Sequence, residues 1–306
     1  MGKVAFLFSG QGTQYTGMGK ELCEVSPAAR KVFGLADKIR PGTSKQCFTA
    51  EKNELSLTVN TQPCVYCVDL AAAEALRESG IKPDFVAGFS LGEVAALTFS
   101  GVFTPENGFS FVCRRGEYMN EASVKREGGM AAVLKFSDEK VEELCGKYDN
   151  VYPVNYNCPG QVAVAGGKAE LKKLCEDVSK QGGRAVMLNV SGAFHSPFMD
   201  EAVKDIKDYL IKTEVNAPEI PIYSNYRAAL YTDNAESIRE NICMQVNNPV
   251  LWRKTIEDMA SKGVDTFIET GAGKVLYGLV RKTLKGVKIY HVEDAETLEE
   301  TLCKNK

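Results

Sequence analysis

The chain has 306 residues, of which 44% are hydrophobic and 25% charged, the composition of an ordinary globular protein. Its 37 basic and 40 acidic side chains give a net charge of −3, which argues against nucleic-acid binding. No apolar run approaches the roughly 20 residues of a membrane span. Residues 1–6 run straight into a strand-like segment without the layout of a signal peptide, so we expect a cytoplasmic protein outside the membrane.

The first 126 residues alternate apolar strand-like runs with helical patterns. Thr104 followed by Pro105 is typical of a helix N-cap with proline at the first helical position. Alternating strands and helices predict a parallel α/β sheet. The elements predicted here are strands at 3–9 and 85–89 and helices at 27–39, 61–79, 93–98 and from 105 to about 122.

A different order begins after Gly128-Gly129. Strand, helix, two strands, helix and strand follow each other within about 65 residues, which is the ferredoxin-like β-α-β-β-α-β order. We expect a small domain (127–195) inserted into a large α/β domain (1–126 and 196–306). The predicted elements are strands at 131–136, 151–157, 161–165 and 185–190 with helices at 138–148 and 168–181. The tail returns to α/β, with strands at 222–224, 266–269 and 287–292 and helices after 196, near 235–245, at 250–261, from 275 and at the end.

The ten cysteines lie in unrelated contexts, so reduced thiols are expected. Cys64 and Cys67 form a C-x-x-C in a helical pattern, with Pro63 in the first turn of that helix. No second pair or nearby histidine completes a zinc site. We therefore predict that both are buried small hydrophobic side chains rather than metal or redox groups.

Residues 88–92 (GFSLG) form the most informative motif. A serine between two glycines, after a strand and before a helix, is typical of a nucleophile elbow. The alternative is a glycine-rich turn with a solvated serine. The context favours Ser90 as a nucleophile, and the chain as a serine-nucleophile enzyme.

The glycine-containing loop at 9–14 follows the first strand. It fails as a dinucleotide fingerprint because Tyr15 occupies the third glycine position, and the segment at 271–274 (GAGK) likewise lacks the spacing of a phosphate loop. Ligands collect at the carboxyl edge of parallel sheets, where the elbow should also lie. An oxyanion hole there would use the N–H groups of Leu91 and Gln11. A purely structural glycine turn is the alternative.

Arg115 is predicted to face the core. Its neighbours at helical spacing are apolar or aromatic, whereas the neighbours of Arg114 include Glu117 and Glu121, as on a solvated face. A guanidinium in a dry site is costly unless paired, and it binds carboxylates through two hydrogen bonds. Arg115 is therefore predicted to bind a carboxylate, with a structural ion pair as the alternative.

The chain has two histidines, His195 and His291, so histidine chemistry must use one of them. His195 lies in a loop between the small domain and the next helix. His291 lies in or at the end of a strand. A hydrolase of standard layout places its histidine late in the chain, so His291 remains a competitor for the catalytic base.

Five segments together resemble the malonyl-CoA:acyl carrier protein transacylases, in the acyltransferase family of fatty-acid and polyketide synthesis. They are 8–12 (FSGQG), 88–93 (GFSLGE), 115–116 (RG), 192–196 (GAFHS) and 245–252 (QVNNPVLW), with further similarity at 155–161 and 271–276. The resemblance covers essentially the whole chain. It implies an α/β-hydrolase-like large domain with a mostly parallel sheet and an inserted ferredoxin-like small domain.

The resemblance also implies roles for single residues. Ser90 would be the nucleophile and His195 the base, with the main-chain carbonyl of Gln245 orienting the imidazole in place of an acid. Arg115 would hold the malonyl carboxylate. Gln11 and Leu91 would form the oxyanion hole, and Phe194 matches malonyl-selective members. One departure is Phe89, where the family usually has histidine.

The expected reaction passes a malonyl group from malonyl-CoA to the pantetheine thiol of acyl carrier protein, through a malonyl-serine, with no cofactor and no metal. We expect a monomer. The alternatives are a trans-acting loading enzyme for polyketide synthases, a serine thioesterase or hydrolase, and a non-enzymatic carrier-binding module. Lys274, Arg281, Lys282 and Lys285 are the candidates for a carrier surface, but a solvated helix face is the favoured interpretation of these residues.

Overall fold

The computed structural model describes residues 2–304. The strands are β1 (Lys3–Phe8), β2 (Phe85–Gly88), β3 (Gly129–Leu134), β4 (Val151–Cys158), β5 (Gln161–Gly166), β6 (Arg184–Met187), β7 (Tyr223–Ser224), β8 (Ala229–Leu230), β9 (Val264–Thr270) and β10 (Lys288–Val292). The helices of the first half are α1 (Lys20–Val25), α2 (Pro27–Ile39), α3 (Thr43–Thr49), α4 (Lys52–Leu55), α5 (Thr58–Glu78), α6 (Leu91–Phe99) and α7 (Pro105–Lys125). Those that follow are α8 (Asp138–Cys145), α9 (Lys168–Lys180), α10 (Asp200–Leu210), α11 (Ala235–Met244), α12 (Trp252–Ser261), α13 (Val275–Thr283) and α14 (Ala295–Lys304).

A parallel sheet in the order β10-β9-β1-β2 forms the centre of the large α/β part. Its central strand β1 is apolar from Val4 to Phe8, as is usual for a parallel strand that is covered on both faces. Phe6 and Phe8 pack against Phe99 of α6, with ring centroids 5.8 and 5.7 Å apart. The predicted parallel α/β sheet is confirmed. All four strands end at the same edge, where the loops after β1 and β2 meet.

A second sheet is antiparallel, in the order β4-β5-β3-β6. With α8 and α9 it has the β-α-β-β-α-β order that the sequence predicted. The last strand ends at Met187 rather than at 190, so Leu188 and Val190 lie in the connection that leads back to the large sheet. The domain boundaries at 126/127 and 195/196 stay a prediction.

Helix α5 corrects one prediction. It begins at Thr58, so Pro63 lies inside the helix and not in its first turn. Proline lacks an N–H, so the carbonyl of Val59 loses its normal helical partner. The helix still starts early because Thr58 and Thr61 are fully buried, and because Thr61 Oγ1 donates to the carbonyl of Leu55 at 2.5 Å. Burial thus outweighs the local cost of the proline.

The same helix confirms the burial of the C-x-x-C pair, because the side chains of Cys64 and Cys67 are both 0% exposed. In α7 the predicted N-cap is also confirmed: Thr104 Oγ1 accepts from the N–H of Asn107 at 3.1 Å, and Pro105 is the first helical residue. Arg115 of this helix is 1% exposed, so it faces the core as predicted. No helix within residues 2–304 is both long and apolar enough to cross a bilayer.

Candidate active site

The turn between β2 and α6 has the geometry of a nucleophile elbow. Ser90 has φ 54° and ψ −107°, a conformation that costs a non-glycine residue about 1–3 kcal/mol. The flanking glycines are required by close packing: a Cβ on Gly88 would lie 1.9 Å from the carbonyl carbon of Gly92, and a Cβ on Gly92 would lie 2.3 Å from the carbonyl oxygen of Phe8. The turn therefore rests on the end of β1 and presents the Ser90 hydroxyl at the start of a helix.

His195 lies against this hydroxyl. Its Nε2 is 2.7 Å from Ser90 Oγ, and its Nδ1 is 2.9 Å from the main-chain oxygen of Gln245. A carbonyl oxygen only accepts hydrogen bonds, so Nδ1 must carry the proton and Nε2 is left to accept from the serine. The loop is held in place by the N–H of His195, which donates to the carbonyl of Val246 at 3.1 Å. The geometry can thus activate a serine without a third acidic residue.

The imidazole is kept neutral. His195 is 3% exposed, and burial, together with the positive charge of Arg115, lowers its pKa from 6.5 to about 4. At neutral pH the ring is therefore in the form that can accept a proton.

Arg115 reaches the same place from α7. Its Nη1 donates to Gln62 Oε1 at 2.8 Å, and its Nη2 donates to Gln245 Oε1 at 2.8 Å and to Ser90 Oγ at 3.3 Å. These partners are neutral, so the structural ion pair considered as an alternative is not the arrangement found. Burial lowers the pKa of Arg115 to about 10, which leaves it charged at neutral pH. A buried cation with neutral partners favours an incoming anion.

These groups line a small cavity of about 90 Å³. Gln11, from the loop after β1, and Leu91, the first residue of α6, both lie on its wall, as does Phe194. The first N–H groups of a helix have no intrahelical acceptor, so Leu91 can offer its N–H to a ligand oxygen. The structure therefore brings together all seven residues singled out from the sequence, namely Gln11, Ser90, Leu91, Arg115, Phe194, His195 and Gln245.

Sequence reasoning missed the residues that complete the wall. Met130, Asn155, Leu188 and Val190 come from the antiparallel sheet and the connection after it, so the cavity lies between the two sheets. Gln62 comes from α5. Of these residues, only Asn155 lies in a segment that the family resemblance included, at 155–161.

The side chain of Phe89, which stands where the family usually has histidine, packs against an aromatic side chain and makes no polar contact to the elbow. Its ring packs edge-on against Trp252, with centroids 5.4 Å apart. The polar contacts to the elbow come from elsewhere: Asn225 Oδ1 accepts from the N–H of Ser90 at 2.7 Å, and Gln245 Nε2 donates to the carbonyl of Ser90 at 2.7 Å. The main chain of the serine is therefore well satisfied without a histidine at position 89.

His291 lies elsewhere. It is in β10, three strand positions from β2, a separation of about 14 Å at the usual strand spacing. Its Nε2 is 3.6 Å from Glu293 Oε1. The histidine that contacts the serine is His195. The four basic residues considered for a carrier surface are all exposed on or beside α13, which agrees with a solvated face, and their role stays a prediction.

Comparison with known proteins matches the acyl transferase domain family over residues 5–300. A malonyl CoA-acyl carrier protein transacylase of Bacillus subtilis is 40% identical over 306 residues, covering 98% of this chain and 96% of the relative. The solved structure of malonyl CoA-acyl carrier protein transacylase from Clostridium perfringens is 39% identical with a TM-score of 0.94, covering 99% of this chain and 97% of that one. A structure described as a type II PKS acyl-carrier protein in complex with its malonyl-transacylase matches at 30% identity and a TM-score of 0.95, covering 99% and 100%. With an elbow serine, a buried histidine and a matching domain along nearly its whole length, this chain belongs to the acyl transferase family.

Proposed function

We propose that this protein is an [acyl-carrier-protein] S-malonyltransferase, which moves a malonyl group from malonyl-CoA to the pantetheine thiol of acyl carrier protein in fatty-acid synthesis. The observation that carries the proposal is the position of Ser90 Oγ, 2.7 Å from His195 Nε2 and 3.3 Å from Arg115 Nη2. One oxygen thus touches both a base and a carboxylate-binding cation. The names of the relatives agree with this activity.

In the first half-reaction His195 Nε2 takes the proton of Ser90, whose oxygen forms a bond to the thioester carbonyl carbon. The N–H groups of Gln11 and Leu91 stabilise the oxyanion, at about 3 kcal/mol for each donor. The carbon–sulfur bond then breaks. The proton held on His195 goes to the leaving sulfur, so CoA leaves as a thiol and a malonyl-serine remains.

The second half-reaction reverses these steps with a new thiol. His195 takes the proton of the carrier pantetheine thiol, and the sulfur attacks the ester carbonyl of the malonyl-serine. The serine oxygen leaves and takes the proton back from His195. The two acceptors use the same site in turn, so ping-pong kinetics are expected.

Arg115 gives the reaction its preference for a diacid. In a malonyl group the free carboxylate is separated from the thioester carbonyl by one methylene. A cation that holds this carboxylate must therefore lie within a few ångströms of the nucleophile, as Arg115 does. Phe194, 6% exposed and on the wall of the same cavity, would oppose larger groups on that methylene.

Intact-mass measurement after incubation with malonyl-CoA tests the proposal. We expect one malonyl adduct that maps to Ser90, is absent in Ser90→Ala, and disappears when carrier protein is added while malonyl-carrier forms. An unlabelled protein would contradict the proposal and favour a carrier-binding module. Release of free malonate at the same rate with and without carrier would identify a hydrolase instead.

Carrier domains of polyketide synthases would be loaded by the same chemistry, so competition between the two kinds of carrier protein separates the pathways. The proposal includes a monomer that acts in the cytoplasm without a cofactor, since the CoA thioester is a substrate. Size-exclusion chromatography with light scattering tests the monomeric state. Activity after exhaustive dialysis against chelator tests the absence of a cofactor.

A further inference from the structure

Glu93 is a buried acid that the reaction above does not use. It lies in the first turn of α6 and is only 1% exposed. Its carboxylate accepts three hydrogen bonds: from the N–H of Asn225 at 2.9 Å, from Gln245 Nε2 at 3.3 Å and from the hydroxyl of Tyr231. A buried carboxylate with this many donors is a fixed point around which neighbouring groups are oriented.

The first of these neighbours clamps the elbow. Asn225 is held through its main-chain N–H by Glu93, while its side chain binds the turn from both sides. Its Oδ1 accepts from the N–H of Ser90 at 2.7 Å, and its Nδ2 donates to the carbonyl of Gly88 at 2.6 Å. The strained backbone of Ser90 persists only if its surroundings hold it, and Asn225 is one of two side chains, with Gln245, that bind it.

Gln245, the second neighbour of Glu93, contacts both His195 and Arg115. Gln245 Nε2 donates to both Glu93 Oε2 and the carbonyl of Ser90, which fixes the orientation of the amide. Its Oε1 must then face Arg115, from which it accepts at 2.8 Å. The main-chain oxygen of the same residue holds His195 Nδ1. With the amide turned the other way, its NH₂ group would face the guanidinium, donor against donor.

We propose that Glu93 is the positioning residue that holds Ser90, His195 and Arg115 at their relative positions. It acts through Asn225 on one side and Gln245 on the other. The inference rests on the proposed function, because it gives those three groups their roles. Glu93 touches none of their reacting atoms.

The positioning depends on acceptor geometry more than on charge. Burial raises the pKa of Glu93 to about 7, while its hydrogen bonds and Arg115 oppose that rise. When the carboxyl is neutral, Oε1 can hold the proton and donate to Tyr231, whose hydroxyl can also accept. Oε2 still accepts from Asn225 and Gln245. A glutamine at this position can do the same, whereas an alanine cannot.

Glu93→Gln and Glu93→Ala test the proposal, with Glu269→Ala as the matched control. Glu269 is a second buried glutamate; it accepts from the N–H groups of Leu276 and Tyr277 at the start of α13, and burial raises its pKa to about 7 as well. For each variant, thermal unfolding gives the folded fraction. Rapid-quench mass spectrometry gives the rate constant for acylation of Ser90 by malonyl-CoA and by acetyl-CoA.

We expect Glu93→Ala to acylate about 100-fold more slowly with acetyl-CoA, the effect of a misplacement of about 1 Å in a catalytic group, and more slowly still with malonyl-CoA. Its malonyl-to-acetyl ratio should also fall, because Arg115 loses its orientation. Glu93→Gln should stay within about tenfold of the wild-type rate, and Glu269→Ala should lose thermal stability without losing acylation rate per folded molecule. A folded Glu93→Ala with a rate within about threefold of wild type, or an equal loss in Glu269→Ala, would overturn the proposal.

Tyr231→Phe covers the case in which Glu93→Ala fails to fold. It removes only the hydroxyl that anchors the outer oxygen of Glu93. We expect acylation to slow about fivefold with an unchanged KM, as for one lost hydrogen bond. A wild-type rate would count against positioning through Glu93.

Labelling of Ser90 by a fluorophosphonate separates this inference from the proposed function. The probe requires an activated serine but no malonyl or carrier chemistry. If malonyl-CoA fails to acylate the wild type, the proposed function is wrong, whereas slower probe labelling in the Glu93 variants would still support the positioning. Equal labelling rates in wild type, Glu93→Ala and Tyr231→Phe would refute it.

Discussion

Replacement of Arg115 by alanine should change which thioester the protein prefers. The guanidinium is 1% exposed and its present partners are neutral, so a malonyl carboxylate would be its only charged partner within hydrogen-bond reach. Removal of one partner of a desolvated hydrogen-bonded charge pair costs about 2–5 kcal/mol. That loss corresponds to about 30- to 5,000-fold in kcat/KM for malonyl-CoA.

Acetyl-CoA has no carboxylate and escapes this loss. The kcat/KM for acetyl-CoA should rise slightly, because the charge of Arg115 contributes to the lowered pKa of His195 and removal of that charge makes the base stronger. The malonyl-to-acetyl ratio of kcat/KM should therefore fall by at least the 30-fold lower bound.

The matched control is Arg114→Ala, one residue away. Arg114 lies on the exposed face of the same helix and pairs with Glu117 at 2.7 Å, so this variant makes the same change in charge outside the cavity. Its ratio should equal that of the wild type. The assay is steady-state transfer from each thioester to carrier protein, with the acyl-serine measured by intact mass. An unchanged ratio in Arg115→Ala would refute the assignment of Arg115 to the carboxylate.

Three further predictions concern the base and the elbow. His195→Ala should lose acylation of Ser90 by at least 100-fold while His291→Ala keeps it, because general-base catalysis contributes about 10²–10⁴-fold; the reverse result would point to a hydrolase layout. The acylation rate should fall as the pH drops through about 4 rather than through 6.5, because the lowered pKa keeps His195 unprotonated above pH 4. Jumps from neutral pH to each test pH measure this rate. A midpoint near 6.5 would contradict the buried neutral ring. Gly92→Ala should lower both the melting temperature and the acylation rate. The added Cβ would lie 2.3 Å from the carbonyl oxygen of Phe8, and a main-chain atom cannot move away without disturbing the strand. Wild-type values for both quantities would contradict the close packing of the elbow.

Local signals in the sequence predicted the framework of the site. The continuous apolar run of β1, the glycines around Ser90 and the helical neighbours of Arg115 each depend on contacts close in the chain or on a simple period, and each was confirmed in the structure. The three short helices α1, α3 and α4 were not predicted, because each is too short to show an amphipathic period.

Apart from the contacts that the family resemblance implied, long-range polar contacts were not predicted from the sequence. Asn225 binds Ser90 across 135 residues of chain, and Glu93 binds Gln245 across 152. Nothing in the local pattern distinguishes these amides from solvated ones, since their roles depend on which loops the sheet brings to one edge. The start of α5 was misjudged for a related reason: Pro63 is a local signal, whereas the burial that overrides it is a tertiary one.

The main-chain carbonyl that holds His195 has an electrostatic consequence. An acid in that place would stabilise the imidazolium that forms when Ser90 gives up its proton; a carbonyl carries no full charge, and the adjacent guanidinium opposes protonation. A malonyl group docked on Arg115, as we propose, would bring its own negative charge and offset this opposition. The substrate would then supply the charge that the Ser90–His195 dyad lacks, so a diacid would strengthen the base that acts on it and a monoacid would not. Discrimination between acyl groups would be exerted on proton transfer as well as on binding.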